Sequence, residues 1–99
     1  MNRTINSTKL ILEVARSFPC LRIKLADWHP EKFDADHFCA MMGRWSTGET
    51  LCGLFVLNVW NPGYAESRGW TFNMLDFAGT ADAGNRAALI HWLERPVWP

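Results

Sequence analysis

The side chains that give this sequence most of its reactive chemistry are three cysteines and three histidines: Cys20, Cys39, Cys52, His29, His37 and His91. A thiolate beside an imidazole pairs a nucleophile with its base, and the same two groups ligate zinc. His37 and Cys39 are two positions apart, so a helix would direct them to different faces. Asp34 and His37 could share a face, but two ligands do not complete a zinc site. We therefore predict a non-enzymatic chain without catalytic or metal-binding residues; a minor enzymatic or metal-binding role of Cys39 and His37 is the alternative.

Tryptophan is the most over-represented large side chain, with six copies in 99 residues. So small a domain has too little interior to enclose six indoles, so some must reach the surface. Exposed aromatic and arginine side chains are the usual energetic centres of protein interfaces. We predict Trp98, Trp70 and Tyr64 as partner-binding residues, with Arg68 as a polar contact at the rim. The alternative for Trp98 is a lid that folds back over a thin core.

Asn58 is the one polar residue inside an otherwise apolar run over residues 51–60. Buried amides are almost always hydrogen-bonded within the protein. We therefore predict that Asn58 satisfies a loop backbone or a helix end, and a polar contact inside a pocket is the alternative.

Composition narrows the classes of partner. Ten basic and ten acidic residues cancel, which argues against a nucleic-acid binder and against an acidic mimic of DNA. The sequence has no glycine-rich phosphate loop, and we expect no cofactor. The longest apolar stretch, residues 51–57, is far shorter than the roughly 20 residues of a membrane span. Residues 1–18 lack the layout of a signal peptide, and an odd number of cysteines without a paired spacing fits reduced thiols. These features predict a cytoplasmic protein, and its size and initial Met suggest a whole gene product.

Apolar periodicity and capping residues predict an all-α fold, a single helical domain over residues 1–99 built as a compact bundle of four to five short helices. Ser46 and Glu49 have the spacing of a capping box, which would begin a central helix. Gly79 would end one helix and Thr80 would cap the next. The predicted helices cover residues 7–17, 34–44, 47–60, 70–77 and 81–94. Residues 63–69 are predicted as a polar loop and residues 95–99 as a non-helical tail. Residues 20–29 fit a helix or a strand, and a short helix or irregular segment is favoured because no second strand is evident.

Three segments of the C-terminal half, residues 55–61, 85–92 and 96–99, resemble a group of small uncharacterised proteins encoded by phages and other mobile elements of proteobacteria. The resemblance rests mainly on core-type residues and transfers no functional position. It implies a setting in which small proteins commonly bind a host protein, including inhibitors of host defence such as anti-CRISPR proteins.

Together these features predict an accessory protein that binds and modulates a host or phage protein in the host cytoplasm. The main alternative is a structural or regulatory protein that associates with itself, since a homodimer would also cover surplus aromatic surface.

Overall fold

Seven helices form the regular structure of the part of the chain that the computed structural model describes, residues 3–29 and 31–98, with side chains from residue 8 onward. They are α1 (Arg3–Arg16), α2 (Pro19–Lys24), α3 (Ala35–Met42), α4 (Thr47–Trp60), α5 (Pro62–Ser67), α6 (Met74–Thr80) and α7 (Ala83–Glu94). No strand occurs within these residues, which confirms the all-α class. The Cα radius of gyration is 12.5 Å, close to the roughly 13 Å of a compact chain of this length.

The number of helices, predicted as four to five, was too low. Helices α2 and α5, which the apolar periodicity did not clearly indicate, have six residues each. Such a helix makes fewer than two turns, which is too short for an apolar stripe to stand out.

Helix α4 is the centre of the bundle, and eight of its fourteen residues are buried. The predicted capping box is confirmed: the Ser46 hydroxyl accepts from the Glu49 amide at 3.3 Å, and the Glu49 carboxylate accepts from the Ser46 amide at 3.0 Å. Helices α1, α2, α3, α5 and α6 all pack against α4. Gly53 allows α3 to approach closely, because an added Cβ would lie only 2.6 Å from the sulfur of Met42 and 3.0 Å from the ring of Trp45.

The predicted polar loop over residues 63–69 was wrong, because most of it is helix α5. Asn61 caps this helix by accepting from the Tyr64 amide at 2.9 Å, and Pro62 occupies the first turn. At the other end Gly69 has a φ of 75°. The Gly69 amide donates to Glu66, and the Trp70 amide donates to Ala65, which together form a Schellman motif.

The boundary predicted between the last two helices was also wrong. Asn73 caps α6 with bonds to the amides of Leu75 and Asp76, so this helix begins after residue 73 rather than at residue 70. It continues through Gly79 and Thr80. The cap of α7 is Asp82, which accepts from the Asn85 amide at 2.9 Å, and a carboxylate there also complements the helix dipole.

Residues 20–29, where helix and strand both fitted, begin with most of α2 and continue as turns. Pro19 starts this helix, and its ring lies against α7, 3.3 Å from where a Cβ of Gly84 would stand. The Cys20 amide donates to the Asn85 side chain at 3.5 Å. Helix α2 therefore bridges α7 and α4. None of the helices in the described residues is both long enough and apolar enough to cross a membrane.

Candidate functional site

The predicted partner-binding residues fall into two groups. Tyr64 lies on α5, Arg68 is the C-cap residue of that helix and Trp70 follows shortly after it, whereas Trp98 lies in the tail after α7. The groups differ in how many hydrogen bonds and packing contacts their side chains already make within the chain.

Tyr64 and Arg68 are held by an aspartate of α3. The Tyr64 hydroxyl donates a hydrogen bond to the Asp36 carboxylate, and the Arg68 guanidinium donates to the same oxygen at 2.9 Å. Arg68 also donates to the Tyr64 oxygen at 3.1 Å and lies over the ring at 5.6 Å from its centroid. The hydrogen bond to Asp36, more than burial, raises the pKa of Tyr64, and the same bond lowers the pKa of Asp36. This cluster fastens α5 to α3 and leaves fewer free donors for a partner.

Trp70 is half-buried against the core. Its carbonyl accepts from the Asn58 side-chain amide at 3.0 Å, and the same amide donates to the Leu54 carbonyl at 2.8 Å. Asn58 therefore ties the chain after α5 to the central helix. The prediction that Asn58 satisfies a backbone group is confirmed.

Trp98 is the most exposed of the indoles, at 70%. Its ring meets the ring of Trp92 edge to face, with 5.0 Å between centroids. The Trp92 indole N–H donates to the Val97 carbonyl at 3.2 Å, and its ring packs on Phe55 in the core. Trp98 is thus displayed on the surface by a tail that is itself tied to α7.

Beside this tail lies a surface groove of about 170 Å³, which we call the C-terminal groove. It is lined from α1, from α7 and from the tail by Leu10, Glu13, Val14, Ser17, His91, Trp92, Arg95 and Val97. Four of these side chains are apolar. A cavity of about 150 Å³ is enough to hold a benzene ring, whereas drug-sized ligands occupy about 300–1,000 Å³. The groove therefore fits a single apolar or aromatic side chain better than a larger small molecule.

The polar lining of the C-terminal groove has both signs of charge. Glu13 comes from α1, and Arg95 is the C-cap residue of α7, with His91 one turn before it. The Ser17 hydroxyl donates to the Val14 carbonyl of its own helix at 2.6 Å. That bond occupies the hydroxyl proton, whereas a serine nucleophile would donate this proton to its base. The groove offers binding chemistry, because it combines four apolar side chains with one anionic and one cationic side chain.

Three of the reactive residues considered from the sequence, His29, His37 and Cys39, have separate surroundings. The His37 ring packs on Trp28, with 5.4 Å between centroids, and the His29 ring accepts from the Glu31 amide. Cys39 is buried, and burial raises the pKa of its thiol. Within the described residues, no three His, Cys, Asp or Glu side chains lie close enough together to hold a metal ion.

Sequence reasoning missed the C-terminal groove. The groove forms only where α1 and α7 meet, and these helices are far apart along the chain. His91 and Trp92 on α7, with Arg95 as its C-cap, were the available local signal, because residues three or four positions apart lie on one side of a helix.

Comparisons of this chain with protein-family models, with curated proteins and with solved structures give no significant match.

Proposed function

We propose that this chain is a non-enzymatic protein-binding module that recognises a partner protein through Trp98 and the C-terminal groove. The observation that carries the proposal is a large aromatic side chain, 70% exposed, held on the surface by its contact with Trp92. An exposed indole that is already ordered loses little conformational freedom on binding. Such side chains are the usual hot spots of protein interfaces.

The C-terminal groove beside Trp98 would bind an apolar side chain of the partner, which we call the anchor. Its volume suits one apolar side chain, and its apolar lining residues Leu10, Val14, Trp92 and Val97 match that chemistry. Glu13 on α1 and Arg95 after α7 carry opposite charges, so an anchor flanked by a basic and an acidic residue would be favoured in one orientation. The partner segment we propose therefore carries an apolar side chain between residues of opposite charge.

Tyr64, Arg68 and Trp70 stay in the proposal as secondary contacts. Their mutual bonds and those to Asp36 and Asn58 make them rigid. Contacts that are already ordered in this way lose little conformational freedom when a partner binds.

Within this class we propose an accessory protein of a phage or mobile element that inhibits a host protein in the cytoplasm, including a host-defence inhibitor of the anti-CRISPR type. This narrower role rests on the resemblance of residues 55–61, 85–92 and 96–99. Net neutrality supports a protein over a nucleic acid as the partner.

The proposal is tested by affinity capture from proteobacterial lysate with an N-terminal tag, which leaves the tail free. The captured protein is identified, purified and titrated against the wild type and three variants. Trp98→Ala and Arg95→Glu should weaken the Kd about tenfold or more, as hot-spot changes do. Leu75→Ala is the matched control: Leu75 is 82% exposed but lies on α6, outside the groove. The proposal is rejected if no protein is captured reproducibly, or if all three variants bind like the wild type.

Self-association is the second candidate, because four large aliphatic side chains are more than half exposed on α2, α6 and α7: Ile23, Leu75, Ile90 and Leu93. A symmetric dimer that covers some of them would need no foreign partner. Light scattering over a hundredfold range of concentration separates the candidates. A mass that stays monomeric throughout rejects self-association.

A further inference from the structure

Two cysteines outside the C-terminal groove face each other across α2 and α4. The Lys24 ammonium lies 3.6 Å from the Glu49 carboxylate and joins these helices. Cys20 lies four residues before Lys24, and Cys52 lies three residues after Glu49, so each cysteine shares a helix face with one member of the ion pair. The Cys20 and Cys52 side chains also interact with each other, and these two points of contact mean that α2 and α4 run in opposite directions.

The two thiols differ in exposure and in acidity. Cys52 is fully buried, whereas Cys20 is partly exposed. The hydrogen bond from Cys52 lowers the pKa of Cys20, while the same contact, together with burial, raises the pKa of Cys52. Because the thiolate is the attacking form, Cys20 is the accessible nucleophile and Cys52 is the thiol in position to react with it afterwards.

We propose that Cys20 and Cys52 are a dithiol modification site, which low-molecular-weight disulfides such as oxidised glutathione convert into an intramolecular disulfide between α2 and α4. The Cys20 thiolate attacks one sulfur of the oxidant, a Cys20–glutathione bond forms, and one glutathione thiolate leaves. Cys52 then gives its proton to a thiolate in solution and attacks the Cys20 sulfur, which releases the second glutathione. Two protein thiols are oxidised, and one glutathione disulfide is reduced to two thiols.

Cys39 provides the internal control. It is equally a free cysteine and almost fully buried, but its polar neighbour is the Tyr64 hydroxyl rather than a second thiol. It therefore stays reduced when the pair reacts. This difference separates a specific dithiol from general oxidation of cysteines.

The test treats the folded wild-type chain with excess oxidised glutathione at mildly alkaline pH. The number of titratable thiols should fall from three to one, and non-reducing peptide mapping should show Cys20 joined to Cys52. The thermal midpoint should rise by several degrees, since the bond closes a loop of about 30 residues. The Cys39→Ser variant should lose the same two thiols at the same rate.

A second variant isolates the order of the steps. Cys52→Ala should stop at a stable mixed disulfide between Cys20 and glutathione. The inference is overturned if the wild type keeps three thiols, if it also stops at the mixed disulfide, or if the mapped bond includes Cys39. The wild type and Cys39→Ser distinguish these outcomes even where Cys52→Ala does not fold.

Discussion

At the scale of single residues, the phenol of Tyr64 has the most unusual environment on the surface. It donates to the Asp36 carboxylate, so removing its proton would place two anions in contact. This raises the pKa of Tyr64 above its ordinary 10.0. A group with a raised folded pKa contributes stability that is fully present below its unfolded pKa and is lost as pH rises through the folded value. The cluster should therefore hold α5 to α3 throughout the neutral range and release it in strong alkali.

Tyr64 is the only tyrosine in the chain, so an absorbance titration of tyrosinate reports on it alone. We expect a midpoint well above 10.0 in the wild type. Asp36→Asn should bring the midpoint back towards 10.0, because an amide leaves no adjacent anion. Arg68→Met should not lower it, since the guanidinium favours the charged phenolate. A wild-type midpoint near 10.0 would show that the contact with Asp36 does not persist in solution.

Inside the bundle, the hydrogen bonds of one side chain can be tested in a similar way, because the Asn58 amide donates to two backbone carbonyls. Asn58→Asp should be less stable than Asn58→Ala near neutral pH, because a carboxylate would face two acceptors without a proton to donate. Those carbonyls should raise the folded pKa of the new carboxyl, so the deficit should shrink as pH falls below that pKa. Urea unfolding of both variants at neutral and acidic pH measures this. Equal stability at every pH would contradict the hydrogen bonds assigned to Asn58.

At the scale of elements, α5 is a helix whose start and stop signals are present in the sequence but were not recognised. Asn61 and Pro62 at its start and Gly69 after its end are the standard start and stop residues of a helix. These signals were in the sequence, yet six residues were too few to show an apolar stripe, and a loop was predicted. The longer α4 was predicted at its observed bounds because its capping box and its length agree. The C-terminal groove required knowledge of which helices pack together, which no local pattern contains.

Two glycines allow the cost of an unfavourable backbone conformation to be measured apart from the cost of a steric clash. An added Cβ would meet no atom within 4 Å at Gly69 or at Gly79, but Gly69 has a φ of 75° and Gly79 lies inside α6 with no positive φ. Gly69→Ala should cost about 1–2 kcal/mol of unfolding free energy because the left-handed conformation strains an L residue. Gly79→Ala should be neutral or stabilise by up to about 1 kcal/mol. Chemical denaturation of the pair checks the sign. An equal effect at both positions would contradict the Schellman motif.

At the scale of the whole molecule, the six indoles are distributed unevenly. Five are half-buried against one continuous core, and these are Trp28, Trp45, Trp60, Trp70 and Trp92. Only Trp98 is exposed. The sequence argument that so small a domain cannot enclose six indoles therefore agrees with the structure. The five half-buried indoles extend a thin core outward, and the sixth is the one whose burial requires another molecule.

This division predicts which tryptophans the fold depends on. Trp45 packs edge to face on Phe38 and against the helix contact at Gly53, so Trp45→Ala should cost about 3 kcal/mol or more. Trp98→Ala removes one edge-to-face pair, which is worth about 0.5–1.5 kcal/mol. Urea unfolding of both variants measures the difference through the midpoint at constant slope. If Trp98→Ala costs as much as Trp45→Ala, Trp98 is a structural lid and its exposure does not mark a binding surface. If it costs little while capture is lost, Trp98 serves the partner rather than the fold.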